Sequence, residues 1–387
     1  MEMASASGLL GKVCPADLGP DQTGYVRAIS LAEAKAPEFV AEWEALTERA
    51  CEPNPFFEPW FALPSIEAFA AGNSVTLLTS YDGGRLTGLL PIGRTTDYYG
   101  YPIPIAAGWL HHNAFCGTPI VARGYERAFW RGLLGHFDSH PGSALFLHMP
   151  KLPSEGRLAS ALADVLEAEG RISYVALEES RAFLASELSS TDYLSQSMSA
   201  KKRKELRRQF KRLSEQGTLE VLRNDGAEDV EQWTSDFIAL EAAGWKGAAG
   251  SALGSAAQTR SFFAATLRRA ADAGKLERLT LSLDGRPIAM LANFITTPGV
   301  YSFKTAYDET YSRFSPGMLL QLENLALLDR KDIEWADSCA AEGHPMIERL
   351  WREKRTLNSY NIAIGGRLRR AVFKQLLNYE TRNWSAS

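Results

Sequence analysis

The chain has 387 residues, a formal net charge of −4 at pH 7, 45% hydrophobic residues and 23% charged residues. This length suits two ordinary hydrophobic cores better than one, and the composition is that of a globular protein. The negative net charge argues against a protein that coats nucleic acid. The four cysteines are scattered, so we expect neither a zinc site nor a disulfide framework, and reduced thiols in the cytoplasm fit best.

The N-terminal segment, residues 1–24, lacks the basic and apolar regions of a signal peptide. We therefore expect a flexible tail. No apolar run approaches the roughly 18 residues that a membrane-spanning helix needs, so we expect no integral membrane association.

From Tyr25 onward, helical and strand patterns alternate. Apolar residues at helical spacing predict helices over 38–50 and up to Phe69. Two strand patterns follow, Val75–Tyr81 and Leu86–Ile92, and Asp82-Gly83 between them is typical of a hairpin turn. The rest of this half is predicted as a crossing, a helix, a strand, a helix and a strand, over 98–104, 125–137, 144–149, 155–169 and 172–177.

The second half repeats this order about two hundred residues later. Helical patterns cover 192–215, 227–243 and 259–273, and strand patterns at 279–283 and 288–295 are joined by Asp284-Gly285. A strand, a helix and a strand follow over 300–308, 318–328 and 333–336. The repeat predicts two α/β lobes, 25–185 and 186–387, with mixed β-sheets flanked by helices. The alternative is that Asp-Gly turns are common and the repeat is chance.

A strongly basic helix is predicted at the start of the second half. It carries eight Lys/Arg and one Glu between Lys201 and Arg212, and its apolar residues Leu206, Phe210 and Leu213 recur at helical spacing. One stripe should therefore pack inward while the cations face out. Such a face favours a phosphorylated or anionic partner, although a solvated charged helix explains it equally well.

A strand that leads into a helix start is the second notable pattern. Residues 301–308 alternate, with one predicted face formed by Tyr301, Phe303, Thr305 and Tyr307. Ser315 is a good N-cap and Pro316 a good first helical residue, which leaves the N–H groups of Gly317 and Met318 at the positive end of the helix dipole. Such a helix start suits a pyrophosphate, with Arg313 as an added cation. The alternative is a plain Ser-Pro helix cap.

Several further segments follow in a specific order. They are Leu240-Glu-Ala-Ala-Gly-Trp-Lys-Gly247, Gly250-Ser-Ala-Leu253, Leu283-Asp-Gly-Arg-Pro-Ile-Ala289, Ala306-Tyr-Asp-Glu309, Ser315-Pro-Gly-Met-Leu-Leu320 and Asp337 before a terminal helix. With the basic helix, this order resembles the GNAT acyltransferase superfamily, specifically its CelD/BcsL-like branch, which is related to the FemAB aminoacyl transferases. The resemblance covers about 191–377, and Asn54-Pro-Phe-Phe57 extends it weakly into a degenerate first lobe.

The resemblance implies an N-acyltransferase whose co-substrate is acetyl-CoA or another acyl-CoA, without a metal. The acceptor would be an amine of a small molecule, an amino sugar, a peptide or a polysaccharide precursor. A free alkylamine is protonated at pH 7, so a general base is needed, and the candidates are Asp308, Asp337 and His344. Donor binding would fall to Arg313, Ser315, Gly317, Met318 and Leu319. Acceptor binding would fall to Trp245, Lys246, Lys304, Arg207 and Arg208.

One departure from the family pattern keeps other functions open. Most GNAT enzymes hold the CoA pyrophosphate in a Gln/Arg-x-x-Gly-x-Gly/Ala loop, whereas this chain has Arg313-Phe-Ser-Pro-Gly-Met318, in which a proline replaces the first glycine. FemAB-like relatives share a poorly formed loop and use aminoacyl-tRNA to modify cell-wall precursors, so tRNA is a second donor. A non-catalytic pair of binding lobes is the third possibility. We expect no DNA partner.

Overall fold

The fold comes from a computed structural model that describes residues 25–70, 75–244, 247, 250 and 252–384. The predicted N-terminal tail lies outside the described residues, as do Trp245 and Lys246. In the described part of the chain, no helix is long and apolar enough to cross a membrane.

The first half alternates strands and helices much as the sequence predicts. Its strands are β1 (Tyr25–Ile29), β2 (Val75–Asp82), β3 (Arg85–Thr95), β4 (Ile105–Gly108), β5 (Ile120–Val121), β6 (Phe146–Pro153) and β7 (Ser173–Leu184). Its helices are α1 (Leu31–Ala34), α2 (Pro37–Thr47), α3 (Pro59–Phe69), α4 (Glu126–Ser139) and α5 (Arg157–Ala168). A short 3₁₀ helix, Pro55–Phe57, precedes α3.

The second half begins with two helices where the sequence predicted one. These are α6 (Ser190–Ser197) and α7 (Ala200–Ser214), and the side chain of Ser199 caps α7 by accepting the N–H of Lys202. The later helices are α8 (Val230–Ala243), α9 (Ala257–Asp272), α10 (Pro316–Asn324) and α11 (Arg367–Trp384). The strands are β8 (Leu219–Asn224), β9 (Leu276–Leu283), β10 (Arg286–Thr296), β11 (Gly299–Tyr307), β12 (Trp335–Asp337) and β13 (Glu353–Ala363).

The described strands form one mixed sheet in which the two halves mirror each other. The order is β1-β2-β3-β4-β6-β13-β7-β12-β11-β10-β9-β8, with β5 on β3. On one side β2 and β3 form a hairpin and β4 runs parallel to β6; on the other, β9 and β10 form a hairpin and β11 runs parallel to β12. The tandem α/β architecture is thus confirmed, but the lobes share a single sheet.

The two predicted hairpin turns occupy equivalent places in the two halves. Gly83 and Gly84 have φ of 54° and 79°, and Asp284 and Gly285 have φ of 50° and 75°. Two consecutive residues with positive φ define the tight hairpin turn whose twist matches that of the flanking strands. Asp82 itself ends β2.

The last strand of each half lies beside the other half. β13, from the end of the chain, pairs with β6 and with β7, and β7 pairs with β12. Each half thus contributes a central strand that completes the sheet of the other. Helices cover both faces of the second half: α8 and α9 pack with Phe294 and Phe303 on one face, whereas α7 and α10 pack with Leu281 and Leu291 on the other.

The strand exchange predicts that the first half does not fold alone. A fragment of residues 25–185 would lack β13 between β6 and β7, so we expect urea to unfold it without a cooperative transition, whereas the full chain unfolds cooperatively. Far-UV circular dichroism measures both. Appending residues 353–363 to the fragment through a flexible linker should restore cooperativity. A fragment that unfolds cooperatively without that segment would contradict the prediction.

Candidate functional site

The central feature of the second half is a cleft that opens where β11 and β12 diverge. The two parallel strands pair only over Gly299–Tyr301 and Trp335–Asp337, after which β12 ends and β11 continues to Tyr307. At the same point, the pairing of β10 with β11 shifts register and leaves Phe303 as an extra residue, a β-bulge. Bulges re-aim side chains and are frequent beside active sites.

The bulge changes which side chains share a face of β11. Tyr301 and Phe303 pack with the aromatic cluster under α9, as the ring contacts of Phe303 with Phe263 and Phe294 show. Thr305 instead accepts a hydrogen bond from Gln321 on α10, and Tyr307 packs on that same side. The predicted single face of four residues is therefore wrong, because the extra residue reverses the alternation beyond it.

A buried ion cluster lies at the root of the cleft. Asp337 is fully buried, and its carboxylate lies 2.7 Å from Nε of Arg181 and 3.1 Å from Nη1 of Arg355. The Arg355 guanidinium also lies 4.7 Å from the ring of Trp335 and 3.5 Å from the hydroxyl of Tyr301. Since β7, β12 and β13 supply these residues, the cluster joins the strands that the two halves exchange.

This cluster decides the chemistry open to Asp337. Burial raises the pKa of its carboxyl, but the ion pairs with Arg181 and Arg355 outweigh burial, so the pKa lies below its usual value. A carboxylate held by two guanidinium groups is a weak base. Asp337, a predicted general-base candidate, is therefore better suited to holding the junction together than to accepting a proton.

The first half covers the cleft with the segment around Asn54 and with the loop that contains Cys116 and Thr118. The Asn54 amide donates hydrogen bonds to the carbonyls of Cys116 and Thr118 at 3.1 and 2.7 Å. The hydroxyl of Tyr301 donates to the carbonyl of Pro53 at 3.1 Å. The weak Asn54-Pro-Phe-Phe57 signal therefore marks a real contact between the halves.

The loop of residues 109–119 lies where the first half would have its own cleft. It interrupts the strand pattern between β4 and β5 and brings Phe115 to Lys304, whose ammonium lies 5.4 Å from the Phe115 ring. His111 in this loop stacks on Phe69 with ring centroids 4.5 Å apart. Burial, with the neighbouring charges of His112 and Lys304, lowers the pKa of His111 to about 3, so its ring is neutral at pH 7.

The start of α10, where we expect the donor phosphates, is covered. Pro316, Gly317 and Met318 are buried, and a Cβ on Gly317 would lie 3.1 Å from Cδ1 of Tyr307 and 3.6 Å from Sδ of Met346. Ser315 is the N-cap but has a left-handed backbone with φ of 54°, and its side chain makes no capping hydrogen bond. The residues of this first turn are therefore buried, whereas the sequence predicted that the N–H groups of Gly317 and Met318 point outward.

The three general-base candidates do not converge. Asp308 caps the following 3₁₀ helix by accepting from the N–H and hydroxyl of Thr310. Asp308 directly follows β11 and lies seven residues beyond Tyr301, the strand partner of Asp337. Seven residues of extended strand span about 23 Å. His344 is half-buried in the loop after β12, and its buried Nδ1 has no hydrogen-bond partner among the described residues.

The basic helix α7 packs beside this region through its C-terminal half. Gln209 donates a hydrogen bond to the carbonyl of Arg313. Leu206 and Leu213 are buried as predicted, whereas Phe210, on the same stripe of α7, is only partly covered and is 40% exposed. Arg208 does not point freely into a cleft because it pairs with Glu205 on the same helix at 2.7 Å.

Sequence reasoning missed the two arginines that hold Asp337. Each arginine lies in a strand segment that the sequence analysis left unassigned. Arg181 lies beyond the strand predicted at 172–177, and Arg355 lies in β13, which we did not predict as a strand. The described residues contain no group of three His, Cys, Asp or Glu side chains that could hold a metal ion.

The ion cluster predicts a large, pH-dependent stability effect. Asp337→Asn removes the charge that pairs with buried Arg181 and half-buried Arg355 and should lower the free energy of unfolding by about 3–5 kcal/mol at pH 7. Because the folded-state pKa of Asp337 is lowered, its contribution is complete above about pH 4 and is lost as pH falls through the folded-state value. The difference from the parent, measured by urea denaturation, should therefore shrink in acid.

Glu205→Gln is the matched control for this experiment. It removes a carboxylate from an exposed pair on α7 and should leave the unfolding midpoint unchanged. A difference between Asp337→Asn and parent that stays constant from pH 7 to pH 3 would contradict the prediction.

Comparisons with known proteins find one matching family model and several solved structures with a similar fold. Residues 200–344 match the family model described as an acetyltransferase (GNAT) domain. No curated protein matches the sequence. Among solved structures, FemX superposes with a TM-score of 0.58 at 10% identity, over 84% of this chain and 96% of FemX.

Two further structures share the fold. The C-terminal domain of a putative lysylphosphatidylglycerol synthetase from Agrobacterium fabrum has a TM-score of 0.51 at 12% identity, over 89% of this chain and 96% of that domain. A conserved protein of unknown function from Bacteroides thetaiotaomicron has a TM-score of 0.50 at 12% identity, over 84% and 97%. Residues 200–344 are therefore similar to a GNAT acetyltransferase domain, and the chain shares its overall fold with FemX.

Proposed function

We propose that this protein transfers an acyl group from acyl-CoA to an amine acceptor in the cleft between β11 and β12. The observation that carries the proposal is the coincidence of the Phe303 bulge with the point where β12 ends. Beyond it, one edge of β11 has no strand partner among the described residues. The order of the sequence motifs favours the CelD/BcsL-like branch.

The unpaired edge of β11 supplies the groups that acyl transfer needs. Asp308 donates its N–H to the carbonyl of Ile288, which precedes Ala289 on β10. Since alternate residues of a strand direct their N–H groups to opposite sides, those of Thr305 and Tyr307 point away from β10 and into the cleft. A thioester carbonyl beside this edge would receive hydrogen bonds that strengthen as negative charge develops on its oxygen.

The acceptor amine would approach from the side of the first half. Lys304 reaches across the cleft, with its ammonium 5.4 Å from the ring of Phe115 and 5.5 Å from the ring of Phe303. We assign Lys304 to binding an anionic group of the acceptor, because a positively charged ammonium attracts such a group. In this role Lys304 contributes to binding and takes no part in proton transfer. An acceptor held there would meet the donor carbonyl at the bulge.

The proton of the attacking amine needs a base, and His344 fits this role best. The ion pairs of Asp337 and the capping role of Asp308 leave both carboxylates occupied. His344 has a buried, unpartnered Nδ1 and precedes Met346, which covers the start of α10. The amine nitrogen would attack the thioester carbon, the base would take its proton, and the CoA thiolate would leave.

A second donor, aminoacyl-tRNA, is favoured by one observation. The covered first turn of α10 offers little room for a pyrophosphate, while seven of the eight cations of α7 are exposed. An exposed basic helix suits the phosphates of an RNA arm better than a single pyrophosphate. The two donors differ in where their phosphates bind, so a binding experiment separates them.

The donor prediction compares two proline substitutions. Acetyl-CoA should bind the parent in a calorimeter, and Gly317→Pro should weaken it at least about tenfold, because the substitution removes an amide donor at the start of α10. Gly366→Pro, just before α11, is the matched control and should bind like the parent. A parent that binds aminoacyl-tRNA but gives no heat with acetyl-CoA would overturn the acyl-CoA donor in favour of the second.

The kinetic prediction separates binding from chemistry. Release of the CoA thiol is followed with a thiol reagent across a panel of amino sugars and dipeptides. Lys304→Met should raise the acceptor KM at least about tenfold with little change in kcat, whereas His344→Gln should lower kcat by about 100-fold. Lys331→Met, an exposed lysine before β12, is the control. Unchanged kcat in His344→Gln would remove that residue from the mechanism.

A further inference from the structure

A cavity of about 260 Å³ lies beneath the basic helix, on the face of the sheet that α10 covers. It is bounded by α6, α7, α10, β8 and β9, and its walls are mostly apolar. Six of the wall residues are Leu206, Phe210, Val221, Leu281, Leu319 and Leu322. An apolar cavity of about 150 Å³ is already large enough to take up benzene, so this one has room for a longer apolar group.

The apolar wall continues to the molecular surface. Phe210 is 40% exposed and Val221 is 37% exposed, although both line the cavity. Most of the other lining side chains belong to the packed core of this face. The cavity is therefore open on the side where α7 faces β8, and an elongated ligand can enter it from solvent.

Cations stand beside this opening. Arg203 lines the cavity and donates to the carbonyl of Ser195 at 2.5 Å. Arg207 also lines it, is exposed, and has no hydrogen-bond or ion-pair partner among the described residues. Lys204 and Lys211 lie one turn to either side of Arg207 on the same helix. Glu323, on the opposite wall, is exposed.

We propose that this cavity binds a medium-chain fatty acid, with the alkyl chain among the leucines and the carboxylate paired with Arg207. Each methylene group transferred from water to such a wall adds affinity, and a guanidinium group binds a carboxylate with two parallel hydrogen bonds. The cations at the opening favour a ligand with an anionic head group, and the apolar interior favours an alkyl chain over a polar group.

The cavity shares helix α10 with the proposed donor site, and two of its lining residues, Leu319 and Arg207, are among those that the family resemblance assigns to donor and acceptor binding. The cavity lies over β8 and β9, whereas the cleft opens between β11 and β12, two strands farther along the sheet. The inference therefore does not rest on the proposed function, and binding is tested without any turnover.

Calorimetry with sodium decanoate, below its micelle concentration, tests the proposal. We expect decanoate to bind the full chain and butyrate to bind at least about 30-fold more weakly, because six methylene groups are lost. Val221→Trp fills the opening and should weaken decanoate at least about tenfold. Leu222→Trp is the matched control, since the neighbouring side chain on β8 points to the opposite face, and it should bind decanoate like the parent.

The head group is tested separately. Arg207→Gln should weaken decanoate at least about fivefold and leave decanol unaffected, whereas Arg212→Gln, on the same helix but outside the cavity, should change neither. If Val221→Trp does not fold, Leu322→Trp blocks the cavity from the α10 wall. No binding of decanoate to the parent, equal binding by the parent and a folded blocking variant, or equal loss in the Val221 and Leu222 variants would overturn the proposal.

Discussion

The pairing of β13 with both β6 and β7 determines where the two halves of this protein meet. Without that strand, one sheet would end at β6 and the other at β7, and no strand pairing would join the two sheets. The ion cluster of Asp337, Arg181 and Arg355 lies on three of the central strands. A buried ion pair adds little net stability compared with an apolar core, but it tolerates few alternative arrangements. Hydrophobic packing stabilises the sheet, and the cluster adds a contact that requires β7, β12 and β13 to be aligned as they are.

The cleft depends on this junction. β12 is short because Asp337 turns its carboxylate into the cluster and accepts the N–H of Cys339, which ends the strand. β11 can then continue without a neighbour, and the bulge at Phe303 turns its next residues toward the α10 side. The first half contributes the covering loop of residues 109–119 in place of a second cleft. The second half thus contains the open cleft, and the first half covers it.

Much of the fold could be predicted from the sequence, and the missing parts share a physical cause. The hairpins at Gly83 and Asp284 were predictable because turn chemistry is local. The strands β7 and β13 were underestimated or missed because they carry residues such as Glu178, Arg181 and Asn361, which lack the alternation of a half-buried strand. Their polar side chains are satisfied only by partners from distant parts of the chain, and a single sequence contains no record of those partners.

The same reasoning explains the outcome at the candidate site. The motif order led to the prediction that Lys304, Asp308, Asp337 and His344 belong to one site in the second half. It could not reveal that Asp337 pairs with two arginines or that Tyr307 and Met346 cover Gly317. The bulge at Phe303 depends on pairing with β10, so regular alternation was the only reading that the isolated segment allowed.

The exchanged strand also has a consequence for synthesis on the ribosome. The first half is translated first, but β6 keeps an open edge until β13 has been made, near the end of the chain. An open strand edge can pair with other chains, and contacts this distant in sequence form slowly. The interval between translation of β6 and arrival of β13 is therefore the period in which the nascent protein is most exposed to aggregation, and rapid docking of the last strand ends it.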